Sequence, residues 1–312
     1  MNISNQLKGF LLAFFSTIAL SYGYIFSKAA LNEIDIIHFG FYWFGFAIIW
    51  NVLFIFKIRK KINLRSIEKK GWWAIAGNTF FEVIGSTLFY IAIKNIENPT
   101  IVSFIVNLGS IFILIMGYFW LREKFNVIEY LGMLITLIGI FLINYHTDTK
   151  ITGSTITGTW LVIASTFFIS IAVVIAKVAV KKIQPVILTS GRILVLFSLS
   201  FLLLIITDGS FSVPSSAILN VALGSFMGTF LSLLSMYYSL KYIEASFVSI
   251  ISSTKSLFLI ILTYLFFSQK ITELQLVAGA ITIVGVILIS TGKRSLEYFL
   301  NFILKRQEAK IG

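Results

Sequence analysis

GFLLAFFSTIALSYGYIFSKAALNEI, residues 9–34, and GTWLVIASTFFISIAVVIAKVAVKKI, residues 158–183, are two versions of one segment. Gly9, Ser16, Thr17, Ser21, Lys28, Ala30 and Ile34 return as Gly158, Ser165, Thr166, Ser170, Lys177, Ala179 and Ile183 at a constant spacing of 149. Lys94, Ile96 and Glu97 return as Lys241, Ile243 and Glu244. Further on, Ser110, Phe112, Lys124, Gly139 and Ile143 return as Ser256, Phe258, Lys270, Gly285 and Ile289. The chain is therefore a duplication. Each copy carries five apolar stretches of membrane-spanning length. Five is odd, so the second copy enters the membrane inverted relative to the first, the arrangement of many alternating-access transporters.

Composition fixes the solvent. Of 312 residues, 58% are hydrophobic and 12% charged, against about a quarter charged in a soluble domain. Mean hydropathy is +0.94. The apolar runs are continuous and approach the ~20 residues that cross a bilayer as helix, whereas barrel strands would alternate. The expected fold is an all-α membrane protein of ten transmembrane helices, two inverted five-helix repeats around a central cavity. Spans are predicted near 9–31, 36–56, 71–93, 99–121, 127–145, 157–179, 185–207, 217–240, 246–267 and 274–291. Residues 1–147 form the first repeat, 148–292 the second and 293–312 a cytoplasmic amphipathic tail. In that tail Leu296, Phe299, Leu300, Ile303 and Leu304 share one face, as in a helix lying on a membrane surface.

The net charge of +12 is a topology signal, since basic residues of membrane proteins collect in cytoplasmic loops. The loop from Lys57 to Lys70 holds seven lysines and arginines against Glu68. With this loop in the cytoplasm, both termini are cytoplasmic, and the same side receives Arg122, Lys124, Lys177, Lys181, Lys182 and Lys241. Lys28 falls on the opposite side from its repeat partner Lys177. The expected location is an inner (plasma) membrane. The expected partners are the lipid bilayer and a small-molecule solute, with no nucleic acid. Gly132, Gly139, Gly279 and Gly285 suit close helix packing, inside one chain or at a homodimer seam.

Charge at mid-span is expensive, about 2.5–3.5 kcal/mol on insertion scales, and three residues carry it: Glu82, Lys255 and Arg192. Asn78, Glu82 and Ser86 lie at i, i+4 and i+8, one face of one helix. They form the wall of a solute cavity with a titratable carboxylate, or else Glu82 makes a structural ion pair with Lys255 or Arg192. Lys255 follows Ser252, Ser253 and Thr254, and its repeat counterpart is the uncharged Gly109; Asn107 is the polar group of the matching span. Arg192 is also unmatched, standing opposite Trp43. It holds an anionic solute group or has a structural role. Among the aromatic residues Tyr22, Tyr42, Trp43, Tyr90, Tyr237 and Tyr238 are cavity candidates, of which Tyr22 and Tyr238 join the substrate-binding set. Glu82 and His38 are the proton-coupling candidates.

Catalytic signatures such as H-E-x-x-H, G-x-S-x-G and the P-loop are absent from the sequence. With no cysteine and two histidines, His38 and His146, neither a metal nor a cofactor is expected, and the chain reads as a non-enzyme.

Two segments carry a family resemblance. Gly109-Ser-Ile-Phe and Tyr118-Phe-Trp-Leu-Arg-Glu-Lys-Phe, followed by Gly132 and Gly139-Ile-Phe-Leu, are similar to the EamA-type repeat of the drug/metabolite transporter superfamily. An L-F-L-G-E-R/K-L turn there joins the last two helices of each repeat. Leu121, Glu123 and Lys124 match it, while Arg122 stands in the glycine position. In the second copy Gln269 replaces the glutamate. Arg192 fits an arginine common early in the second helix of each repeat, and Trp43 departs from it. The resemblance implies ten helices, a cavity lined by spans 1–4 and 6–9, and spans 5 and 10 at the periphery. Members of that family move amino acids, metabolites, nucleobases, vitamins or drugs, often outward, and the expectation is a secondary transporter of a small organic solute such as an amino acid or related metabolite, moved by export. A channel-like facilitator of the same fold and, less favoured, an intramembrane enzyme are the alternatives.

Overall fold

The computed structural model describes residues 3–59, 64–95, 102, 105–144, 153–207, 210–267, 272–274 and 276–289. The predicted tail at 293–312, His146 and the predicted boundary between repeats at 147/148 lie outside them. All regular structure among the described residues is helical. The first copy supplies α1 (Ile3–Glu33), α2 (Ile36–Ile58), α3 (Lys69–Asn95), α4 (Leu108–Phe119) and α5 (Val127–Asn144). The second supplies α6 (Gly153–Ala179), α7 (Pro185–Thr207), α8 (Ser215–Ser239), α9 and α10 (Leu276–Ile289). Helix α9 runs through Ala245–Ser253, breaks at Thr254 and resumes as Lys255–Phe267. Seven of the described helices are long and apolar enough to cross a membrane, and α4, α5 and α10 are shorter apolar helices.

Local chemistry sets the helix ends. The Asp35 carboxylate accepts from the Ile37 and His38 N–H groups at 2.8 and 3.1 Å, capping α2. Asn126 and Glu129 form a reciprocal capping box at α5, each side chain accepting from the other's backbone N–H at 2.9 Å. Helix α8 contains a π-helical turn over Ser225–Ser232. Such bulges are rare and concentrate at functional sites.

The helices pair across the two copies: α3 packs along α6, α1 along α8, α2 along α7, and α4 along α9. Glycine makes the closest seams. A Cβ on Gly132 would lie 2.8 Å from the Gly285 carbonyl oxygen, and one on Gly285 would lie 2.7 Å from that of Gly132. These glycines thus serve packing of α5 on α10 within one chain, where lipid offers no hydrophobic drive and close backbone contact supplies the attraction.

The polar residues that repeat in sequence also repeat in contact. Ser16 Oγ donates to the Ser232 carbonyl at 2.8 Å and its counterpart Ser165 to the Gly85 carbonyl at 2.7 Å. Ser21 Oγ donates to Lys255 O at 3.3 Å and Ser170 to Gly109 O at 3.4 Å. Lys28 Nζ donates to Ile93 O at 3.2 Å and Lys177 to Leu240 O at 2.8 Å. Carbonyls in lipid need internal partners, and each copy meets that need with the same side chains.

Candidate functional site

A cavity of about 160 Å³ lies where α1, α2, α3, α6, α7 and α8 meet. Glu82, Ser86, Phe89 and Tyr90 reach it from α3, Trp43 from α2 and Arg192 from α7. Tyr24 and Ser27 contribute from α1, and Gly228 and Ser232 from the π-helical turn of α8. Gly23 and Gly228 let α1 and α8 cross beside it: a Cβ on Gly23 would lie 2.5 Å from the Gly228 Cα.

The predicted stripe on α3 is real and fully buried: Asn78, Glu82 and Ser86 are 0%, 2% and 3% exposed. Glu82 meets Arg192 rather than Lys255, with one guanidinium nitrogen 3.3 Å from its Oε2. The Tyr237 hydroxyl donates to Glu82 Oε1 at 3.0 Å, and Asn78 Nδ2 donates to the Tyr237 oxygen at 3.0 Å and to Ala172 O at 2.9 Å. Arg192 makes a single contact with the carboxylate, and its Nε is buried with no hydrogen-bond partner among the described residues. A guanidinium carries five donors in a fork suited to a carboxylate or phosphate. The site therefore holds unused donor capacity beside an apolar wall.

Spacing relates this cluster to a second one. The interval of 147 that joins Lys94 to Lys241 takes Glu82 to Thr229 and Tyr90 to Tyr237, and Arg192 stands opposite Trp43. Trp43 Nε1 donates to Thr229 Oγ1 at 2.6 Å, and the Tyr90 ring packs edge-on against Trp43, centroids 5.9 Å apart. Arg192, Glu82 and Tyr237 on one side thus answer to Trp43, Thr229 and Tyr90 on the other. Both clusters border the cavity, one charged and one neutral.

Lys255 belongs to a separate polar layer where α4 and α9 cross. Its ammonium donates to Asn107 Oδ1 at 2.6 Å, Asn107 Nδ2 donates to Ser256 Oγ at 3.1 Å, and Ser110 bonds to Ser253. Neither Lys255 nor Asn107 is among the residues lining the cavity. Ser252 is half-buried and lies outside the lining too.

The remaining predicted residues go elsewhere. Tyr22 stacks on Phe26 along α1, with Tyr24 facing the cavity instead. Tyr238 lies under the Lys241 ammonium, 5.3 Å from its ring centre, while its neighbour Tyr237 makes the bond to Glu82. His38 sits at the start of α2, its Nδ1 on the Asp35 carboxylate and its Nε2 3.2 Å from the Ser210 carbonyl. It binds the α7–α8 connection and lies outside the cavity lining. Tyr24 and Ser232 line the cavity outside the sequence-predicted set, and Thr229, to which the spacing of 147 points from Glu82, supports the lining residue Trp43.

Comparison with known proteins agrees with this architecture. A solved crystal structure superposes at a TM-score of 0.74 with 15% identity, over 94% of this chain and 98% of its own, which shows a shared fold. An uncharacterized transporter of Methanothermobacter thermautotrophicus is 25% identical over 190 residues, 60% of this chain. The match spans 55% of that relative's length. The model of the EamA-like transporter family matches twice, over residues 7–145 and 156–291. With two matches that together take in most of the chain, the protein belongs to the EamA-like transporter family.

Proposed function

We propose that this protein is a secondary transporter of a small organic solute bearing charge at one end and apolar surface at the other. An amino acid or a related metabolite has that form. The observation that carries the proposal is the cavity lining, which holds the Glu82–Arg192 ion pair together with the aromatic residues Trp43, Tyr90, Tyr24 and Phe89. A zwitterionic head meets the ion pair: its carboxylate takes the unused Arg192 donors and its ammonium approaches Glu82. The volume of about 160 Å³ is below the roughly 300–1,000 Å³ of sites for drug-sized ligands, which favours a metabolite over a drug.

In the proposed mechanism ten spans form two inverted repeats, bounded near residues 147 and 292, with both termini in the cytoplasm of a cell whose inner membrane holds the protein. Support for a symmetric pairing of the two copies comes from cross-copy bonds that have mates, Ser16 to Ser232 O with Ser165 to Gly85 O and Ser21 to Lys255 O with Ser170 to Gly109 O, and the basic-loop pattern supports inversion. The repeats rock about the α4–α9 crossing, exposing the cavity to one side and then the other, and export is the net direction. Glu82 carries the coupled proton when the solute displaces its hold on Arg192.

The test is transport by purified protein in proteoliposomes, after a thermal-shift screen against amino acids and metabolites, since a true ligand stabilises the fold by mass action. Saturable counterflow abolished by Glu82→Gln, with folded protein retained, agrees with the proposal. Flux that never saturates and lacks counterflow assigns a channel-like facilitator and overturns alternating access.

A further inference from the structure

A second pocket lies away from the central cavity, at the end of the bundle where the basic turns gather. It measures about 420 Å³. Three segments wall it: the α4–α5 turn, the C-terminal end of α6 and the α8–α9 turn. Arg122, Lys124, Lys177, Lys181 and Lys241 line it against Glu123 and Glu244, five cations to two carboxylates. Lys8 adds another cation nearby, 5.1 Å from the ring centre of the lining residue Tyr242.

Glu123 is committed elsewhere. Its Oε1 accepts from the Ala245 N–H at 2.7 Å, and its Oε2 from the Ser246 N–H and hydroxyl at 3.2 and 2.6 Å. That carboxylate is spent on the first turn of α9. Lys177 is fixed in the wall by the carbonyls of Leu240 and Ile243, at 2.8 and 2.6 Å. Lys241 is half-buried, and burial holds its pKa below the ordinary lysine value of 10.5.

Arg122 is the most informative member. Its φ of 54° makes it the one non-glycine residue of positive φ among those described. Glycine would take this turn without steric cost; a long side chain takes it under strain, and such strain collects at functional positions. The strained residue presents a guanidinium to the pocket.

We infer that this pocket binds a phosphate-bearing anion, the shared chemistry of a soluble phosphomonoester and of an anionic phospholipid headgroup. The guanidinium fork of Arg122 fits phosphate oxygens, and basic pockets at helix ends are where membrane proteins hold such headgroups. An anion seated here ties together the ends of α6, α8 and α9. Two of these helices, α6 and α8, also wall the central cavity, so occupancy bears on which arrangement of the bundle is favoured. The inference holds whether or not the proposed solute is correct.

The experiment uses the purified full-length chain and reads thermal unfolding. In one arm inorganic phosphate is titrated in neutral detergent against chloride at equal ionic strength. In the other, nanodiscs of phosphatidylcholine alone are compared with nanodiscs containing phosphatidylglycerol. The expected result is saturable stabilisation by one or both anions that weakens as salt screens the site. Arg122→Gly, whose backbone suits the turn, and Lys181→Gln, at an exposed position, each weaken it about fivefold. Stabilisation by phosphatidylglycerol alone assigns the lipid headgroup, and stabilisation by both assigns the phosphate group itself. Absence of stabilisation in both arms overturns the inference, as does an equal response of wild type and both variants.

Discussion

The two clusters that border the cavity occupy matching places in the duplicated chain and differ in kind. Arg192, Glu82 and Tyr237 form an ion pair with a phenol bonded to it; Trp43 and Thr229 form a neutral hydrogen bond with the Tyr90 ring packed beside it. Several bonds that hold helices together agree between the copies. Ser16 and Ser165, Ser21 and Ser170, and Lys28 and Lys177 each satisfy matching carbonyls. Duplication keeps what holds helices together. Divergence marks where one half does something the other does not, and the charged member of this pair lies at the cavity.

The largest test of this contrast compares single substitutions across it. Arg192→Met strands the Glu82 carboxylate in a buried site, and removing one partner of a buried pair costs about 3–5 kcal/mol. Trp43→Phe removes a neutral donor and part of a buried ring and strands no charge, a cost of about 1–2 kcal/mol. Thermal or denaturant unfolding in detergent should therefore separate the two variants clearly. The double variant Glu82→Gln/Arg192→Gln should recover much of the stability lost by Arg192→Met while remaining inactive in transport. Equal losses at Arg192 and Trp43 would erase the distinction between the clusters.

A second contrast sits in the α4–α9 layer. Asn107 meets Ser256, and Ser110 meets Ser253, a matched pair of contacts; Lys255 has only Gly109 as its counterpart. Asn107→Leu removes the acceptor 2.6 Å from the Lys255 ammonium and leaves that charge without its partner. The expected cost is about 2–3 kcal/mol, above the ~1 kcal/mol of an ordinary hydrogen bond lost at Ser253→Ala. Lys255→Met in the Asn107→Leu background should restore stability, because the charge and its need vanish together. If Asn107→Leu and Ser253→Ala cost the same, Lys255 draws its support from elsewhere.

The α5–α10 seam is the control, since there the copies match. Added methyls at the repeat partners Gly139 and Gly285 both run into the opposing helix backbone. Gly139→Ala and Gly285→Ala should each destabilise by roughly 1–3 kcal/mol, the range for overpacking. A large difference between them, read as a shift in unfolding midpoint, would show that matching sequence is no guide to matching load.

How far the sequence discloses all this varies with the kind of information. Helix positions are legible because spans are long and their apolar runs continuous, and the α3 stripe is legible because Asn78, Glu82 and Ser86 are polar on an apolar helix. Angular position is harder for aromatics. Each residue advances about 100° around a helix, so Tyr22 and Tyr24 lie on different faces, and both the lipid and the cavity accept a tyrosine. Tyr237 and Tyr238 are adjacent and point apart for the same reason. The π-helical turn at Ser225–Ser232 shifts the register of α8 in a way no periodicity of hydrophobic residues records. Partner choice was open as well: composition shows that Glu82 needs compensation, but only the packing of α3 on α7 selects Arg192 over Lys255.

The smallest expected effect separates the starts of the two second helices. Asp35 caps α2 with its carboxylate, while its counterpart Gln184 precedes α7, which opens on Pro185, a residue suited to a first helical position. Burial pushes the Asp35 pKa up, but the hydrogen bonds from His38 and from the Ile37 N–H outweigh it, and the net value lies below the ordinary 3.8. A depressed carboxyl favours the folded state when ionised. Its contribution is complete above the ordinary value and is lost as pH falls through the lower folded value. Asp35→Ala should cost about 1 kcal/mol at neutral pH through the lost cap and should flatten the acid side of the stability profile. Asp35→Asn should keep most of the cap yet flatten the same limb, because asparagine accepts the two N–H groups without titrating. Gln184→Ala offers no carboxyl to titrate and should leave the acid limb unchanged. An acid limb that persists in Asp35→Asn would move the titrating group off α2 and remove this difference between the copies.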